Sequence, residues 1–336
     1  METKSSCDMI KQHTQFTKRD IVLYSEKQYF GTTQIISLQK DIDILSSVTF
    51  FIDLPEDENF VDDVEFALIK NVSIIIGNQL IHELTNDQIY IHSKNNNISG
   101  KNNNSFFLTI PFFTNNKEFK DLTWYGSSLP ILALQYSNIE LNFEFEKMEK
   151  IVKYGMAKKN NCNFECKIVG NCIYLSSWEK NKFISVEHEY LSSLNDIFYD
   201  KLTKNNNKYS LDLNKFKLCV RNFSFAFRNK TSNIYFNYLP ICECIKMNIC
   251  GEIIKNKFGE CLMGECLIDE HNIYTYHFEL VKNEFKPSGS LNFSENFGNI
   301  YFTLKQKNDD CVFVFSTEYF NILKISNGFC SVIYKK

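Results

Sequence analysis

The feature that most limits the fold is a series of short runs in which apolar and polar residues alternate, each ended by Gly, Asn or Pro. Ile139–Phe145, with the sequence IELNFEF, is the clearest run, and 211–227 and 241–254 alternate in the same way. A period of two puts every second side chain on one face of a strand, so one face packs in a core and the other contacts solvent. No stretch of a dozen residues shows a helical period. The chain is therefore predicted to be all-β, a sandwich or a barrel.

Length and charge narrow the class of protein. A chain of 336 residues is long enough for two domains, and its 15% of aromatic residues favours sheets over helices. The formal net charge of −3 gives no electrostatic footprint for binding nucleic acid. Residues 1–13 are polar and lack the apolar core of a signal peptide. No apolar run approaches the ~20 residues that a membrane-spanning helix needs.

Changes in composition suggest where the chain divides. Residues 1–17 contain little that can pack and are predicted to form an N-terminal arm. The polar segment KLTKNNNKYS, residues 201–210, is the best candidate for a linker between domains. The predicted first domain is then 18–200 and the second is 211–336.

A faint internal repeat supports two copies of one unit. Residues 74–81 and 248–254 each consist of a β-type run, a Gly turn and a second apolar run. Residues 174–178 and 315–319 also resemble each other, in the same order on either side of the linker. A short helix is predicted after Thr85, which is a suitable N-cap residue.

The twelve cysteines do not form a recognisable metal motif. Cys162, Cys166 and Cys172 are candidates for zinc thiolates, but their spacing is not that of a zinc ribbon. In a chain without an export signal, reduced and buried thiols are the expected state. We predict no metal ligands and no cofactor.

Motifs of the common enzyme classes are also missing from the sequence. There is no HExxH, GxSxG, GxGxxG or Walker A pattern, and His188 stands beside a single Glu. The paired carboxylates Asp62-Asp63 and Asp309-Asp310 are adjacent in sequence, so within a strand their side chains would point in opposite directions. We therefore predict that the protein is not an enzyme and has no catalytic residues.

One stretch, 273–294, carries a more specific signal. Its first half is an aromatic, β-branched run, then Pro287 and Ser288 to Ser290 supply a bend, and the alternation resumes at Leu291. The segment PSGSLNFS, 287–294, resembles the PSG(S/T)xNFS signature in the second barrel of the major capsid proteins of large icosahedral DNA viruses, of the iridovirus and phycodnavirus kind.

Further segments resemble the same family in the same order along the chain. They are KQHTQF (11–16), FALIKNVSIIIGNQLI (66–81), LPILALQYSNIELNFEF (129–145), HEYL (188–191), YHFELVKNEFKPSGSLNFS (276–294) and VFSTEYFNILKISNG (314–328). PSGSLNFS and ALQY are the specific segments, and the others support them. The resemblance spans nearly the whole chain.

The resemblance implies a fold and a function. The expected fold is two tandem eight-stranded jelly-roll barrels, a double jelly roll, with short helical connections. The expected function is that of a major capsid protein that forms homotrimeric, pseudo-hexagonal capsomers and tiles an icosahedral shell. The partners implied are other copies of the chain, neighbouring capsomers, minor capsid proteins and inner membrane-associated proteins, with no direct nucleic-acid binding. The location implied is the virion, assembled in the host cytoplasm.

Some residues depart from the family pattern and leave alternatives open. Glu295, Asn296 and Phe297 replace the Arg-Ile-Asp that usually follows NFS. The second unit is short, since Gly77 to Ser176 spans 99 positions and Gly251 to Ser316 only 65. One alternative to the major capsid protein is therefore a divergent double jelly-roll scaffold or a minor, non-lattice capsid protein. A third alternative is a carbohydrate-binding jelly roll in which Trp124 or Trp178 stacks on a sugar.

Overall fold

The computed structural model describes residues 16–56, 58–93, 99–102, 104–111, 128–153, 162–216, 218–229, 235–249, 252–253, 266–268, 271–280, 288–294, 298–305 and 309–333. The strands in these ranges are β1 (Phe16–Tyr29), β2 (Thr33–Ser37), β3 (Ile44–Asp53), β4 (Ile69–Ile76), β5 (Gln79–Thr85), β6 (Ser99–Asn102), β7 (Ser105–Pro111), β8 (Ile139–Phe145), β9 (Asn163–Leu175), β10 (His188–Leu202), β11 (Lys208–Asp212), β12 (Cys219–Asn229), β13 (Cys242–Ile249), β14 (Glu252–Ile253), β15 (Leu267–Ile268), β16 (Tyr274–His277), β17 (Leu291–Asn292), β18 (Gly298–Leu304), β19 (Cys311–Ser326) and β20 (Phe329–Val332). The helices are α1 (Val64–Ala67), α2 (Asn86–Ser93), α3 (Met148–Ile151) and α4 (Ser177–Ile184).

Four antiparallel sheets form two sandwiches. The first sandwich combines a sheet of order β1-β9-β3-β7-β6 with one of order β2-β8-β4-β5. The second combines β10-β19-β12-β16-β15, to which β17 and β20 add, with β11-β18-β13-β14. In each sandwich the two sheets pack their apolar faces together and bury one core, as expected for aligned β layers.

Both sandwiches have the same strand order. Without the short strands β6, β15, β17 and β20, each has eight strands, which pair in the order 1-8-3-6 in one sheet and 2-7-4-5 in the other when counted along the chain. Two units with this shared connectivity confirm the predicted double jelly roll, with the four short strands added at its margins. The internal repeat has a structural counterpart, because β4–β5 and β13–β14 occupy the same positions in the two units.

The pairing of the strands indicates where the chain divides into two units. β10 pairs with β19 along its whole length, from His188 with Ile325 to Leu202 with Cys311, and so is the first strand of the second sandwich. The predicted linker, 201–210, contains the end of β10 and the start of β11. We propose that the division lies instead at 176–187, where α4 connects β9 to β10. The polar composition of 201–210 reflects the turn by which the chain passes from β10 in one sheet to β11 in the other, and such a turn also needs residues that do not pack.

Three further segments differ in detail from what their sequences suggest. Residues 1–15 of the predicted arm lie outside the described residues, and β1 begins at Phe16, so the last two residues of the predicted arm belong to a strand. The Asn-rich segment 94–105 has the composition of a loop, yet it contains the short strand β6, which pairs with β7. In 129–145 only β8 is a strand, because Pro130 leads into a 3₁₀ turn at Ile131–Ala133.

Aromatic side chains fill the second core. Phe223, Phe225 and Phe227 alternate along β12 and are fully buried. The Phe225 ring stacks on Tyr274 with centroids 4.8 Å apart, and Phe302 meets the same ring edge-on at 5.1 Å. Each such ring removes a large apolar area from water, so a few of them stabilise a core between short strands.

The helices are short connections, as predicted. The helix expected after Thr85 is α2, and the Gln88 side chain accepts hydrogen bonds from the Thr85 N–H at 3.0 Å and its hydroxyl at 3.3 Å. α4 begins after Ser176, whose hydroxyl accepts from the Glu179 N–H. Among the described residues, no helix has the length and apolar character needed to cross a membrane.

Candidate functional site at the junction of the two sandwiches

The two sandwiches meet where β5 runs into α2. The first residues of that helix, Asn86, Asp87 and Gln88, are all buried although all are polar. A buried polar side chain is unfavourable unless it is hydrogen-bonded, so the partners of these three residues define the contact. All three have partners in the second sandwich.

Asp87 is the centre of this contact. Its carboxylate accepts hydrogen bonds from the Tyr199 hydroxyl at 2.9 Å and the Tyr238 hydroxyl at 2.8 Å. The Nη1 atom of Arg228 lies 3.0 Å from Oδ1 and 3.1 Å from Oδ2. The three donors come from β10, from β12 and from the segment that follows β12. One carboxylate of the first sandwich therefore fixes three elements of the second.

Burial and the Asp87 carboxylate shift the pKa values of the side chains around it. Burial lowers the pKa of Arg228, but the opposing effect of Asp87 and the nearby tyrosines is larger, so the pKa is raised and the guanidinium stays charged. Burial, together with the Asp87 carboxylate, raises the pKa of Tyr199 and Tyr238, so both remain protonated donors. Burying such a pair is costly, and truncating one partner costs more because the other charge stays buried.

A second layer of contacts surrounds Asp87. The Asn86 amide donates to the Tyr235 hydroxyl at 2.7 Å, and that hydroxyl lies 3.4 Å from Oε2 of Glu146. The Gln88 amide donates to the Ser316 hydroxyl on β19 at 3.3 Å. These bonds again join the two sandwiches, because Glu146 follows β8 of the first.

The apolar part of the junction is aromatic. The Tyr90 ring on α2 stacks on Phe236 with centroids 4.1 Å apart and planes 12° from parallel. Phe66 meets Tyr90 edge-on at 5.5 Å from the other side. Phe236 and Tyr238 of the second sandwich thus belong to the apolar core of the first.

The ALQY segment forms another contact between the sandwiches. Tyr136 donates its backbone N–H to the Gly328 carbonyl at 3.1 Å, and its ring packs against Phe329 at 5.6 Å. Gly328 has a φ of 79°, and a Cβ there would lie 2.6 Å from the Tyr136 ring. Only glycine fits both the turn and the ring, so two family-like segments, ALQY and the closing Asn327-Gly328 turn, contact each other.

The PSGSLNFS segment is a structural element of the second sandwich. A Cβ on Gly289 would lie 2.5 Å from the Phe278 carbonyl oxygen, so the backbones approach too closely for any other residue. The Asn292 side chain accepts from the N–H of Ser294 at 3.1 Å and its hydroxyl at 2.7 Å, an Asx turn. Phe293 is fully buried. Pro287 lies outside the described residues.

The candidate residues for other functions are dispersed. His188 packs between the rings of Phe183 and Tyr190, and its Nε2 lies 2.6 Å from the Phe183 carbonyl. Trp178 is exposed on α4, with Nζ of Lys182 5.4 Å from the ring centroid, and Trp124 lies outside the described residues.

The cysteine candidates are packed in the first sandwich rather than grouped. Cys166 and Cys172 are buried on β9, and burial raises the pKa of each thiol to about 12. Within the described part of the chain, no three His, Cys, Asp or Glu side chains are placed to hold a metal ion.

A second buried ionic group lies within the second sandwich itself. Arg221 forms ion pairs with Glu279 and with Glu318, and all three side chains are at most 5% exposed. The Asn222 amide also donates to Glu318 at 2.8 Å. Sequence reasoning missed both buried groups. No local signal marks them, because Asn222, Ser224 and Arg228 alternate with the core phenylalanines of β12, which is the pattern of a solvent-facing side.

Comparisons with known proteins agree with this fold. A sequence model of the family described as "Major capsid protein N-terminus" matches residues 85–165, which include α2 and the ALQY segment. "Probable capsid protein 4" of Acanthamoeba polyphaga mimivirus is 28% identical over 173 residues, covering 43% of this chain. The chain spans about a third, 34%, of that relative's length.

Solved capsid proteins share the fold over nearly the whole chain. PBCV-1 VP54, in a structure fitted into a reconstruction of the virophage Sputnik, has a TM-score of 0.78 at 16% identity, covering 97% of this chain and 98% of VP54. The Faustovirus major capsid protein has a TM-score of 0.69 at 8% identity, covering 94% and 92%. The chain is thus similar in sequence to capsid proteins over part of its length, and it shares the double jelly-roll fold of solved major capsid proteins.

Proposed function

We propose that this protein is a viral capsid protein that associates with further copies of itself. The observation that carries the proposal is the identical strand order of the two sandwiches, joined by the buried Asp87 cluster. A rigid pair of similar units suits a building block, because its shape is fixed before assembly. The matches to capsid proteins in both sequence and fold support the same role.

The finer proposal is a homotrimeric capsomer. Three chains around a threefold axis present six similar sandwiches and so a pseudo-hexagonal outline that can tile an icosahedral shell. Cyclic symmetry closes such an assembly and prevents it from continuing as a fibre. The net charge of −3 is small enough for dense lateral packing. Neighbouring capsomers, minor capsid proteins and inner membrane-associated proteins are the proposed partners, in a virion assembled in the host cytoplasm.

Light scattering coupled to size-exclusion chromatography tests the proposal directly. We expect the purified chain to have three times the mass of the 39.5 kDa monomer, and negative-stain electron microscopy to show particles with a hexagonal outline. A chain that remains monomeric at all accessible concentrations would contradict the capsomer. That outcome would favour the alternative of a non-lattice capsid or scaffold protein.

A further inference from the structure

Six exposed apolar side chains lie together at one side of the junction between the sandwiches. We call them the seam surface: Tyr136, Trp178, Ile184, Val186, Phe329 and Ile333. They are exposed by 69%, 71%, 40%, 53%, 59% and 50%, respectively. Single exposed apolar residues are common on any protein, so the question is whether these six form one patch.

A closed circuit of contacts between the elements that carry them places the six in one region. α4, which carries Trp178 and Ile184, packs against the 3₁₀ turn Ile131–Ala133. Tyr136 follows that turn and packs on Phe329. β20, which begins at Phe329, pairs with the end of β19.

The circuit closes on the other side of α4. The Ser326 hydroxyl at the end of β19 hydrogen-bonds to the Glu187 carboxylate. Glu187 follows Val186 directly, and Val186 lies just beyond the end of α4. The elements that carry the six residues therefore surround one area, where the rings of Phe183 and His188 also lie 4.3 Å apart.

The fold holds this surface in place. α4 is fixed by Lys180, whose Nζ lies 2.8 Å from the buried carboxylate of Asp43, and by the Ser176 cap. Phe329 and Ser331 are exposed on β20, whereas Cys330 and Val332 pack on the first core. A surface on a fixed backbone loses less conformational entropy when it is covered than a surface on a mobile segment.

The area of the surface is that of an interface. Its three aromatic side chains alone expose roughly 400 Å², since a fully exposed ring residue contributes about 150–250 Å². A stable protein–protein contact needs about 800 Å² per partner, and aromatic residues are enriched at its core. The six residues thus supply a large part of one such face.

The charges around the seam surface indicate which kind of partner it binds. Lys182 and Lys324 are matched in number by Glu187 and Glu189, and Lys324 lies within 3.8 Å of both carboxylates. Nucleic acid and anionic membranes require an excess of cationic side chains, which the described residues of this rim do not have. A second copy of this nearly neutral chain can bind without an excess of cationic side chains. The two copies also do not repel each other strongly.

We propose that the seam surface is buried against a second copy of this chain. The inference rests on the proposed function and adds to it the residues through which the copies associate. In a closed ring the contact is heterologous, so the seam surface of each copy packs on a different surface of its neighbour.

A pair of double variants tests the inference. Trp178→Lys/Phe329→Lys places two charges on the seam surface, and Tyr29→Lys/Phe51→Lys places two on exposed aromatics of β1 and β3 outside it. We expect the seam variant to associate roughly tenfold or more weakly in sedimentation velocity, as for loss of interface hot spots. The control is expected to behave like the unmodified chain. Circular dichroism checks that both variants are folded.

The outcomes separate this inference from the proposed function. If the unmodified chain forms trimers and the folded seam variant does too, the seam surface is not the interface, while the proposed function stands. If the unmodified chain is monomeric throughout, the proposed function fails and this inference fails with it. If the seam variant does not fold, hydrogen–deuterium exchange of the unmodified chain tests the inference instead. The amides of 329–333 should exchange more slowly in the oligomer than after dilution. Equal exchange rates would overturn the inference.

Discussion

Asp87 and Arg228 face each other across the junction of the two sandwiches, with Nη1 3.0 Å from Oδ1, although 141 positions separate them in the sequence. The Asp87 side chain is 1% exposed and that of Arg228 is 21% exposed. The pair is therefore part of the interior of the protein rather than a surface ion pair. It sets the orientation of the sandwiches, because each partner belongs to a different one.

Replacing Asp87 by Asn should destabilise the protein strongly. The substitution keeps the shape of the side chain but leaves the Arg228 charge buried without its counter-charge. Breaking a buried ion pair in this way costs about 3–5 kcal/mol. Urea denaturation followed by circular dichroism measures the change in the free energy of unfolding.

Asp62→Asn is the matched control for that experiment. Asp62 pairs with Lys153 at 3.1 Å, but its side chain is 68% exposed. Exposed pairs contribute about 0–1 kcal/mol, so this variant should unfold almost like the unmodified chain. Equal effects of the two substitutions would show that the Asp87 pair contributes no more than a surface contact.

The Tyr199 hydroxyl offers a smaller change at the same site. Tyr199→Phe removes one of the donors to the Asp87 carboxylate and leaves the ring in place. We expect a loss of about 1–3 kcal/mol, the cost of leaving a buried charged acceptor short of one hydrogen bond. Tyr301→Phe on the exposed face of β18 is the control, with an expected change within about 0.5 kcal/mol. A loss in the control as large as that at Tyr199 would contradict the assigned role of the hydroxyl.

Gly289→Ala should show whether the glycine of PSGSLNFS is needed for the fold. A Cβ at this position would lie 2.5 Å from the backbone oxygen of Phe278, which can move only with its strand. At Gly100 a Cβ would also meet an atom at 2.5 Å, but that atom is in the Phe107 ring, whose side chain is 40% exposed.

The two alanine variants should therefore differ in melting temperature. Overpacking against the backbone costs about 1–3 kcal/mol, whereas an exposed ring can rotate away. The melting temperature of Gly289→Ala is expected to be several degrees below that of Gly100→Ala. The shift per kcal/mol is roughly 4 °C or more in a small domain and smaller in a larger one. Similar melting temperatures for both variants would mean that the bend tolerates a side chain.

The sequence predicts the architecture well and the junction poorly, for a physical reason. Alternation is a local property, so the run at β8 and the runs of β12 and β13 are visible without knowledge of their neighbours. The signal for a short helix after Thr85 is local too. The partners of Asp87 come from β10, β12 and the segment after β12, and no local pattern encodes such long-range pairing.

The same limit explains the position of the division between the sandwiches. Residues 201–210 are polar because the chain turns there, and turns within a unit resemble linkers between units. β10 follows α4 without a break in composition, so the sequence does not mark the proposed start of the second unit at His188. The pairing of β10 with β19 is what supports that start.

Stability should fall at alkaline pH because buried thiols must ionise when the chain unfolds. Burial raises the pKa of Cys166 from its ordinary value of 9.0 to about 12. Between these values the unfolded chain has released the proton while the folded chain still holds it. The unfolded state therefore binds fewer protons, and the free energy of unfolding decreases as pH rises. The stabilisation is complete below pH 9 and is lost progressively toward pH 12.

The Cys166→Ala variant isolates this contribution from other groups that titrate in the same range. Each thiol that changes state costs about 1.4 kcal/mol per pH unit. Urea denaturation under reducing conditions at pH 8, 9, 10 and 10.5 should give a shallower slope for the variant than for the unmodified chain. Cys219→Ala is the matched control, because Cys219 is exposed and its removal should leave the slope unchanged. Parallel slopes for Cys166→Ala and the unmodified chain would show that the Cys166 thiol reaches solvent in the folded protein.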